Sequence, residues 1–209
     1  MPRDASATRD SLVDSGRELF AREGVYSVPL SQVVSHSGQR NESALHYHFG
    51  GRQGLLNAII EAHNEAIEAR RRTMLDRLDA VADAPSLGDL VTAYIAPQAE
   101  LLGTSSGRQF LGVVSQLQDL FDRWNDPGSP AQARRVLAAI SASLADDLAP
   151  VVRHERITRF LGFVALTLGA RARSVERGAD QALDDDTFVE NLAAMSVGAL
   201  SATPEAATR

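Results

Sequence analysis

Four side chains that donate or accept hydrogen bonds lie close together in the stretch LSQVVSHSGQRNESALHYHFGGRQGLL. They are Arg40, Asn41, Ser43 and His46. On the exposed face of a short helix, such groups are suited to hydrogen bonding with the edges of base pairs, because the major groove of DNA admits the end of an α-helix. The chemistry that this stretch favours is therefore recognition of a nucleic acid.

Positioning these groups requires two short helices joined by a tight turn. Leu30, Val33 and Val34 have the i, i+3, i+4 spacing of one short amphipathic helix. Gly38 suits the left-handed position that ends a helix, and Asn41 is a good N-cap for the next helix. The pattern has the form of a helix-turn-helix, although taken alone it favours a small helical hairpin inside any all-α protein, and only the flanking sequence changes that.

Apolar residues on either side of the turn would attach it to a small core. Leu45 and Phe49 form an i, i+4 pair on the second short helix, which ends at two glycines. The segment from Thr8 to Arg22 is predicted to be a helix that carries Leu12, Gly16, Leu19 and Phe20 on one face.

The rest of the chain also has helical spacing. A long helix is predicted from Arg52 to the proline at position 85, and further helices follow that proline. Their expected ranges are 86–102 with a kink or break at Pro97, 108–124, 130–149, 152–176 and 186–200. Since no segment has the pattern of a strand, the sequence predicts an all-α fold of about nine helices.

The last two predicted helices differ from the others in their surfaces. The helix over 152–176 is apolar on more than one face, and the helix over 186–200 combines apolar side chains with alanine, serine and glycine. A helix that is apolar nearly all round must be covered on nearly all sides. We therefore expect these two helices to form a homodimer, with a monomeric helical core as the weaker alternative.

Charge is distributed unevenly along the 209 residues, which carry a formal net charge of -6 and whose basic residues are all arginine. Residues 1–75 contain 9 arginines and 9 acidic residues, whereas residues 76–209 contain 12 and 18. A DNA-binding domain is usually more basic than this, so charge alone does not predict DNA binding. The triplet Arg70, Arg71 and Arg72 is expected to be a solvated helix surface with nearby glutamates as partners.

Several other classes of protein receive no support from the sequence. It contains no cysteine, no apolar signal segment and no run long enough to span a membrane, so we expect a cytoplasmic protein without disulfides. His46 and His48 point apart at i, i+2 on a helix, which disfavours a shared metal. There is no H-E-x-x-H, G-x-S-x-G or phosphate-binding glycine loop. We therefore predict no catalytic residue, metal or cofactor.

The order of these elements, with the phrases TRDSLVDSGRELFAREG and ALHYHFGGRQGLL, resembles the TetR/AcrR family of transcriptional regulators. The specific match covers residues 8–60. Many members have one residue fewer between the turn glycine and the Y-x-F block, and this chain resembles a subset with a QRN-x-SA turn. The resemblance implies a helix-turn-helix DNA-binding domain over residues 8–52 and a ligand-binding and dimerisation domain over residues 53–209.

The resemblance also implies which residues lie at the DNA. The short second helix would enter the major groove, Tyr47 and His48 would lie near the DNA backbone, and Arg52 would hold a phosphate at a helix N-terminus. The full predicted set of DNA contacts is Gln39, Arg40, Asn41, Ser43, Ala44, His46, Tyr47, His48 and Arg52.

Family resemblance further implies a pocket for a small, largely apolar effector that alters DNA binding. The candidate wall and polar residues are Tyr94, Gln98, Phe110, Gln116, Leu117, Phe121, Trp124, Phe163, Thr167 and Arg171. Arg171 could face an acidic ligand or pair with an acid across the dimer. The function implied is a dimeric repressor released from its operator by a small molecule. The alternative is a helical module of the same fold that binds a small molecule or a protein without reading DNA.

Overall fold

The protein, described here from a computed structural model, is built from helices connected by short turns. The structure describes residues 2–81, 83–145 and 147–202. Within those ranges it contains nine α-helices, two 3-10 helices and no strand, which confirms the all-α prediction. The α-helices are α1 (Pro2–Glu23), α2 (Leu30–His36), α3 (Ser43–Phe49), α4 (Arg52–Asp79), α5 (Leu87–Ala99), α6 (Ser105–Val114), α7 (Ala131–Ala142), α8 (Pro150–Glu176) and α9 (Asp185–Ser201). The 3-10 helices are Glu100–Gly103 and Gln118–Arg123.

The chain divides into two compact units, each of which is discontinuous in sequence. The first unit contains the chain up to Ile67 together with Glu100–Leu117 and Leu168–Asp180. The second contains Glu68–Ala99, Gln118–Thr167 and the chain from Gln181 onward. The functional boundary between residues 52 and 53 stays a prediction, because compactness and function need not divide a chain at the same residue.

The first unit has a closely packed apolar core, as the predicted stripes require. Leu12, Leu19 and Phe20 of α1 are fully buried with residues of α2, α3, α4 and α6. Gly16 permits the close approach of α1 to α4, because an added Cβ would lie 3.0 Å from the side chain of Leu55. The predicted apolar face of the first helix is therefore confirmed, and it supports the two short helices that follow.

The predicted helix over 108–124 was wrong at both ends. α6 begins at Ser105, where the hydroxyl of Thr104 accepts a hydrogen bond from a backbone N–H in the first turn, and it ends at Val114. Just beyond that end, the Ser115 hydroxyl and the Gln116 amide both donate to the carbonyl of Gly112. Side chains that bond nearby backbone groups in this way compete with continuation of a helix.

The second unit is organised around α5, which packs against α7 and α9. Pro97 lies near the end of α5, and the change to a 3-10 helix follows it at Glu100. On α8, Ile157, Phe160, Leu161 and Val164 are buried as expected. No helix in the described part of the chain combines the length and the apolarity that crossing a bilayer requires.

Candidate nucleic-acid interface

Local hydrogen bonds fix the turn that presents α3. Gly38 has a φ of +75°, in the left-handed region that favours glycine. Asn41 Oδ1 accepts a hydrogen bond of 2.7 Å from the backbone N–H of Ser43, where α3 begins. The hydroxyl of Ser11 on α1 donates to the carbonyl of Ser37 at 3.0 Å. The turn is thus fastened to α1 as well as to its two flanking helices.

The predicted base-reading side chains are exposed, whereas the anchor residue of α3 is buried. Leu45 of α3 has no exposed surface, whereas the Tyr47 side chain is 84% exposed. The predicted contacts that are exposed are Arg40, Asn41, Ser43, His46 and Tyr47. Those that are half-buried are Gln39, Ala44, His48 and Arg52. This arrangement offers both donors and acceptors to a base-pair edge, and the contacts themselves stay a prediction.

Arg52 has a role inside the unit that the sequence did not reveal. Its two terminal nitrogens donate to the backbone carbonyls of Val25 and Val28, the second at 2.7 Å. Its guanidinium carbon also lies 5.4 Å from the centre of the Phe20 ring. Arg52 therefore holds the connector between α1 and α2 in place, whether or not it also contacts a phosphate as predicted.

Gln116, which was predicted to line a ligand pocket, instead bonds to the backbone of the first unit. Its Oε1 accepts from the N–H of Val25 at 2.8 Å, and its Nε2 donates to the carbonyl of Phe20 at 3.0 Å. The amide therefore ties the end of α6 to the same connector that Arg52 holds. In the sequence, Gln116 was recognisable only as a polar residue on an apolar stripe. Such a pattern does not indicate which groups the side chain contacts.

The predicted effector residues are divided between the two compact units. Leu117 belongs to the core of the first unit, and Phe110 stacks on His63 there with ring centres 4.6 Å apart. Arg171 is buried and also belongs to the first unit. The members that lie in the second unit are Tyr94, Gln98, Phe121, Trp124, Phe163 and Thr167.

Tyr94 lies within a buried polar network of the second unit. The guanidinium of Arg71 lies 5.0 Å from the Tyr94 ring, and Phe160 packs 5.3 Å away. Burial raises the pKa of the Tyr94 hydroxyl, although the charge of Arg71 partly opposes that shift. Arg71 is itself paired with Glu68 at 2.6 Å. The expectation that the whole arginine triplet is solvated is therefore wrong for Arg71, whose side chain is 3% exposed.

Trp124 lines shallow clefts near the start of α8. Its ring stacks on His154 with centres 5.8 Å apart, and Arg153 lines the same clefts, of about 480 and 580 Å³. Its indole Nε1 is buried and has no hydrogen-bond partner among the described residues. An unsatisfied buried donor is costly, so a ligand that accepts this hydrogen bond would be favoured here.

Comparison with known proteins supports the interpretation of the helix-turn-helix. Residues 12–59 match the model of a family described as bacterial regulatory proteins, tetR family. An uncharacterized HTH-type transcriptional regulator of Mycobacterium tuberculosis is 28% identical over 152 residues, covering 65% of this chain and 78% of that protein. The HTH-type transcriptional regulator LmrA of Bacillus subtilis is 35% identical over 77 residues, covering 36% and 39% of the two chains.

The fold of the whole chain is also similar to a solved structure. A crystal structure of a TetR-family regulator from Streptomyces coelicolor superposes with a TM-score of 0.50 at 16% sequence identity, covering 93% of this chain and 95% of that one. The likeness in fold therefore extends beyond the matched N-terminal segment. Together with the exposed polar face of α3 and its glycine turn, these similarities show that residues 12–59 form a DNA-binding helix-turn-helix domain of the tetR type, in a chain whose fold is similar to that of a TetR-family regulator.

Proposed function

We propose that the protein is a dimeric repressor that reads an operator through α3 and leaves it when a small molecule binds. The observation that carries the DNA-reading part is the surface of Arg40, Asn41, Ser43 and His46, which is exposed beside the buried Leu45. An element that must enter a groove needs this division between one anchored face and one hydrogen-bonding face.

An apolar surface on α8 and α9 supports the dimer. Phe163 and Leu166 of α8 are 36% and 50% exposed, and Met195 of α9 is 45% exposed. Arg156, near the start of α8, donates to the carbonyl of Leu200 near the end of α9 at 2.7 Å, which links the two helices. Small residues adjoining Met195 would let a second copy approach closely, and contiguous apolar exposure marks an association site.

The effector site of the proposed repressor lies in the second unit, near Tyr94 and Trp124. A largely apolar molecule with one hydrogen-bond acceptor fits the aromatic rings and the unsatisfied indole N–H there. Release from DNA needs only a difference in the effector's affinity for the free and DNA-bound states, for which ~1–3 kcal/mol of coupling is usual. By reciprocity, operator DNA must weaken effector binding by the same factor by which the effector weakens DNA binding.

The decisive experiment is a gel shift of the full chain with DNA from upstream of its own gene, at low and raised salt. We expect a specific complex that weakens as salt rises, because phosphate contacts release counterions. Arg40→Ala or Ser43→Ala should reduce the preference for the specific over a scrambled sequence. Each lost base contact should lower the free energy of discrimination by roughly 1–3 kcal/mol. Equal binding of both sequences by the unmodified protein would favour the alternative, a helical module that does not read DNA.

A further inference from the structure

A cleft in the first unit has no assigned role. It has a volume of about 420 Å³ and is lined by side chains of α1, α6 and the end of α8. None of the predicted DNA-binding or effector residues lines it. Its size falls within the range of small-molecule sites, which is ~300–1,000 Å³.

Positive charge exceeds negative charge in the lining of this cleft. Four arginines and two glutamates contribute to its walls. Arg22 pairs with Glu18 at 3.2 Å, and Arg108 pairs with Glu176 at 2.5 Å. These two ion pairs account for both glutamates, so the two remaining arginines have no carboxylate partner within the lining.

Arg173 lies in the last turn of α8, and Arg177 directly follows the last residue of that helix. Arg173 donates to the hydroxyl of Ser115 at 3.1 Å, and Arg177 has no side-chain partner among the described residues. Like charges separated by four residues along a helical turn repel each other. A bound anion that accepts hydrogen bonds from both guanidinium groups would replace this repulsion with attraction.

The side-chain amide of Gln109 adds a neutral hydrogen-bond donor to the lining of the cleft. The Oε1 of Gln109 accepts from Arg17 Nε at 3.1 Å, which fixes the orientation of the amide. Its Nε2, for which no acceptor is present among the described residues, remains a donor at the cleft. Forked guanidinium groups with a fixed amide donor match the oxygen atoms of carboxylates and phosphates.

We propose that this cleft binds a small organic anion with a carboxylate or phosphate group, held by Arg173, Arg177 and Gln109. The aliphatic stems of the arginines and the methyl group of Ala21 provide apolar contact for the rest of the molecule. This site differs in both position and chemistry from the largely apolar effector site near Tyr94.

Anion binding here would also reach the DNA-binding helices through α1. That helix contributes Glu18, Ala21 and Arg22 to the cleft and, through Ser11, holds the turn before α3. An anion that displaces Glu18 or Arg22 therefore acts on the helix that positions the reading surface. This regulatory part rests on the proposed function, whereas the binding site itself does not.

Isothermal titration of the full chain with citrate, with inorganic pyrophosphate and with uncharged sorbitol tests the site. We expect one or both anions to bind saturably and sorbitol not to bind. Arg177→Gln should weaken anion binding about tenfold, or ~1.4 kcal/mol. Glu18→Gln should tighten it, because it removes a negative charge from the lining of the cleft. The matched control is Arg77→Gln, an exposed arginine of α4 outside the cleft, which should leave the affinity unchanged.

The outcomes separate the parts of the proposal. Absence of saturable binding by both anions, or equal losses in Arg177→Gln and Arg77→Gln, would overturn the site. A preference for citrate or for pyrophosphate identifies the anion class. The same anion is then added to the protein–DNA complex, with DNA affinity measured by fluorescence anisotropy. Unchanged DNA affinity at saturating anion would overturn the regulatory part, while failure to bind DNA at all would instead count against the proposed function.

Discussion

Replacing Arg52 separates its observed structural role from its predicted role at the DNA. In Arg52→Ala the connector between α1 and α2 loses the hydrogen bonds to the carbonyls of Val25 and Val28. The contact of the guanidinium with the Phe20 ring is lost as well. Both carbonyls belong to a segment that directly precedes α2, so we expect the change to destabilise the helix-turn-helix.

The size of the effect follows from the contacts that are removed. A hydrogen bond to a charged group contributes ~1.5–3 kcal/mol, and the low end applies because the side chain of Arg52 is only half-buried. The cation–π contact adds ~0.5–1 kcal/mol. The expected loss in the free energy of unfolding is therefore about 3.5–4 kcal/mol, which lowers the melting temperature by roughly 7–16 °C in a chain of this length.

Arg52→Lys distinguishes the two roles. A lysine keeps the positive charge for a phosphate, but its single ammonium cannot reproduce the forked contact with two carbonyls. We expect urea unfolding to show most of the stability loss of Arg52→Ala, while the salt dependence of DNA binding stays close to that of the unmodified protein. Arg40→Ala is the matched control, because Arg40 is exposed; its stability should stay within ~0.5 kcal/mol.

One result would refute this reasoning. If Arg52→Ala unfolds at the same urea concentration as the unmodified protein yet loses about one unit of the salt slope, the arginine serves as a phosphate anchor alone. The hydrogen bonds to Val25 and Val28 would then contribute nothing measurable to stability.

The exposed apolar residues of α8 and the buried His63 each allow a further test. Phe163→Glu and Leu166→Arg change exposed positions, so we expect light scattering to show monomers and circular dichroism to show that they remain folded. An intact dimer in these variants would mean that the interface lies elsewhere. Val164 is unsuitable for this test because it is buried and its replacement would disturb the core. Burial, reinforced by the charge of nearby Arg17, lowers the pKa of His63 in the folded state. Below the ordinary pKa of ~6.5, the unfolded state therefore binds more protons than the folded state. The free energy of unfolding should thus fall as the pH decreases below ~6.5. His63→Phe should lose less stability than the unmodified protein between about pH 7 and pH 5, and parallel losses would show that His63 does not contribute.

The architecture of the first unit was predictable because it depends on local patterns. Helical spacing placed Leu12, Leu19 and Phe20 on one face, and all three are buried in the structure. Gly38 was expected in the left-handed region, where it has a φ of +75°. Such features depend on a few neighbouring residues, and a sequence displays them directly.

The end of α6 was not predictable from the same patterns. An apolar stripe continues from Phe110 through Phe121, which predicts a helix that the structure does not contain. The helix ends because Ser115 and Gln116 bond to the carbonyl of Gly112, and Gln116 is held further by the carbonyl of Phe20. The last of these bonds joins residues 96 positions apart, which no local pattern can report.

The charge count misled for a related reason, since formal charges do not show which groups are paired. The N-terminal segment is neutral in sum, but several of its acidic residues are ion-paired on α1, including Asp14 with Arg17 at 2.8 Å and Glu18 with Arg22 at 3.2 Å. Arg40 is exposed and forms none of the ion pairs found among the described residues. A neutral domain can therefore still present an available cation beside α3, which removes the main argument in the sequence against DNA binding.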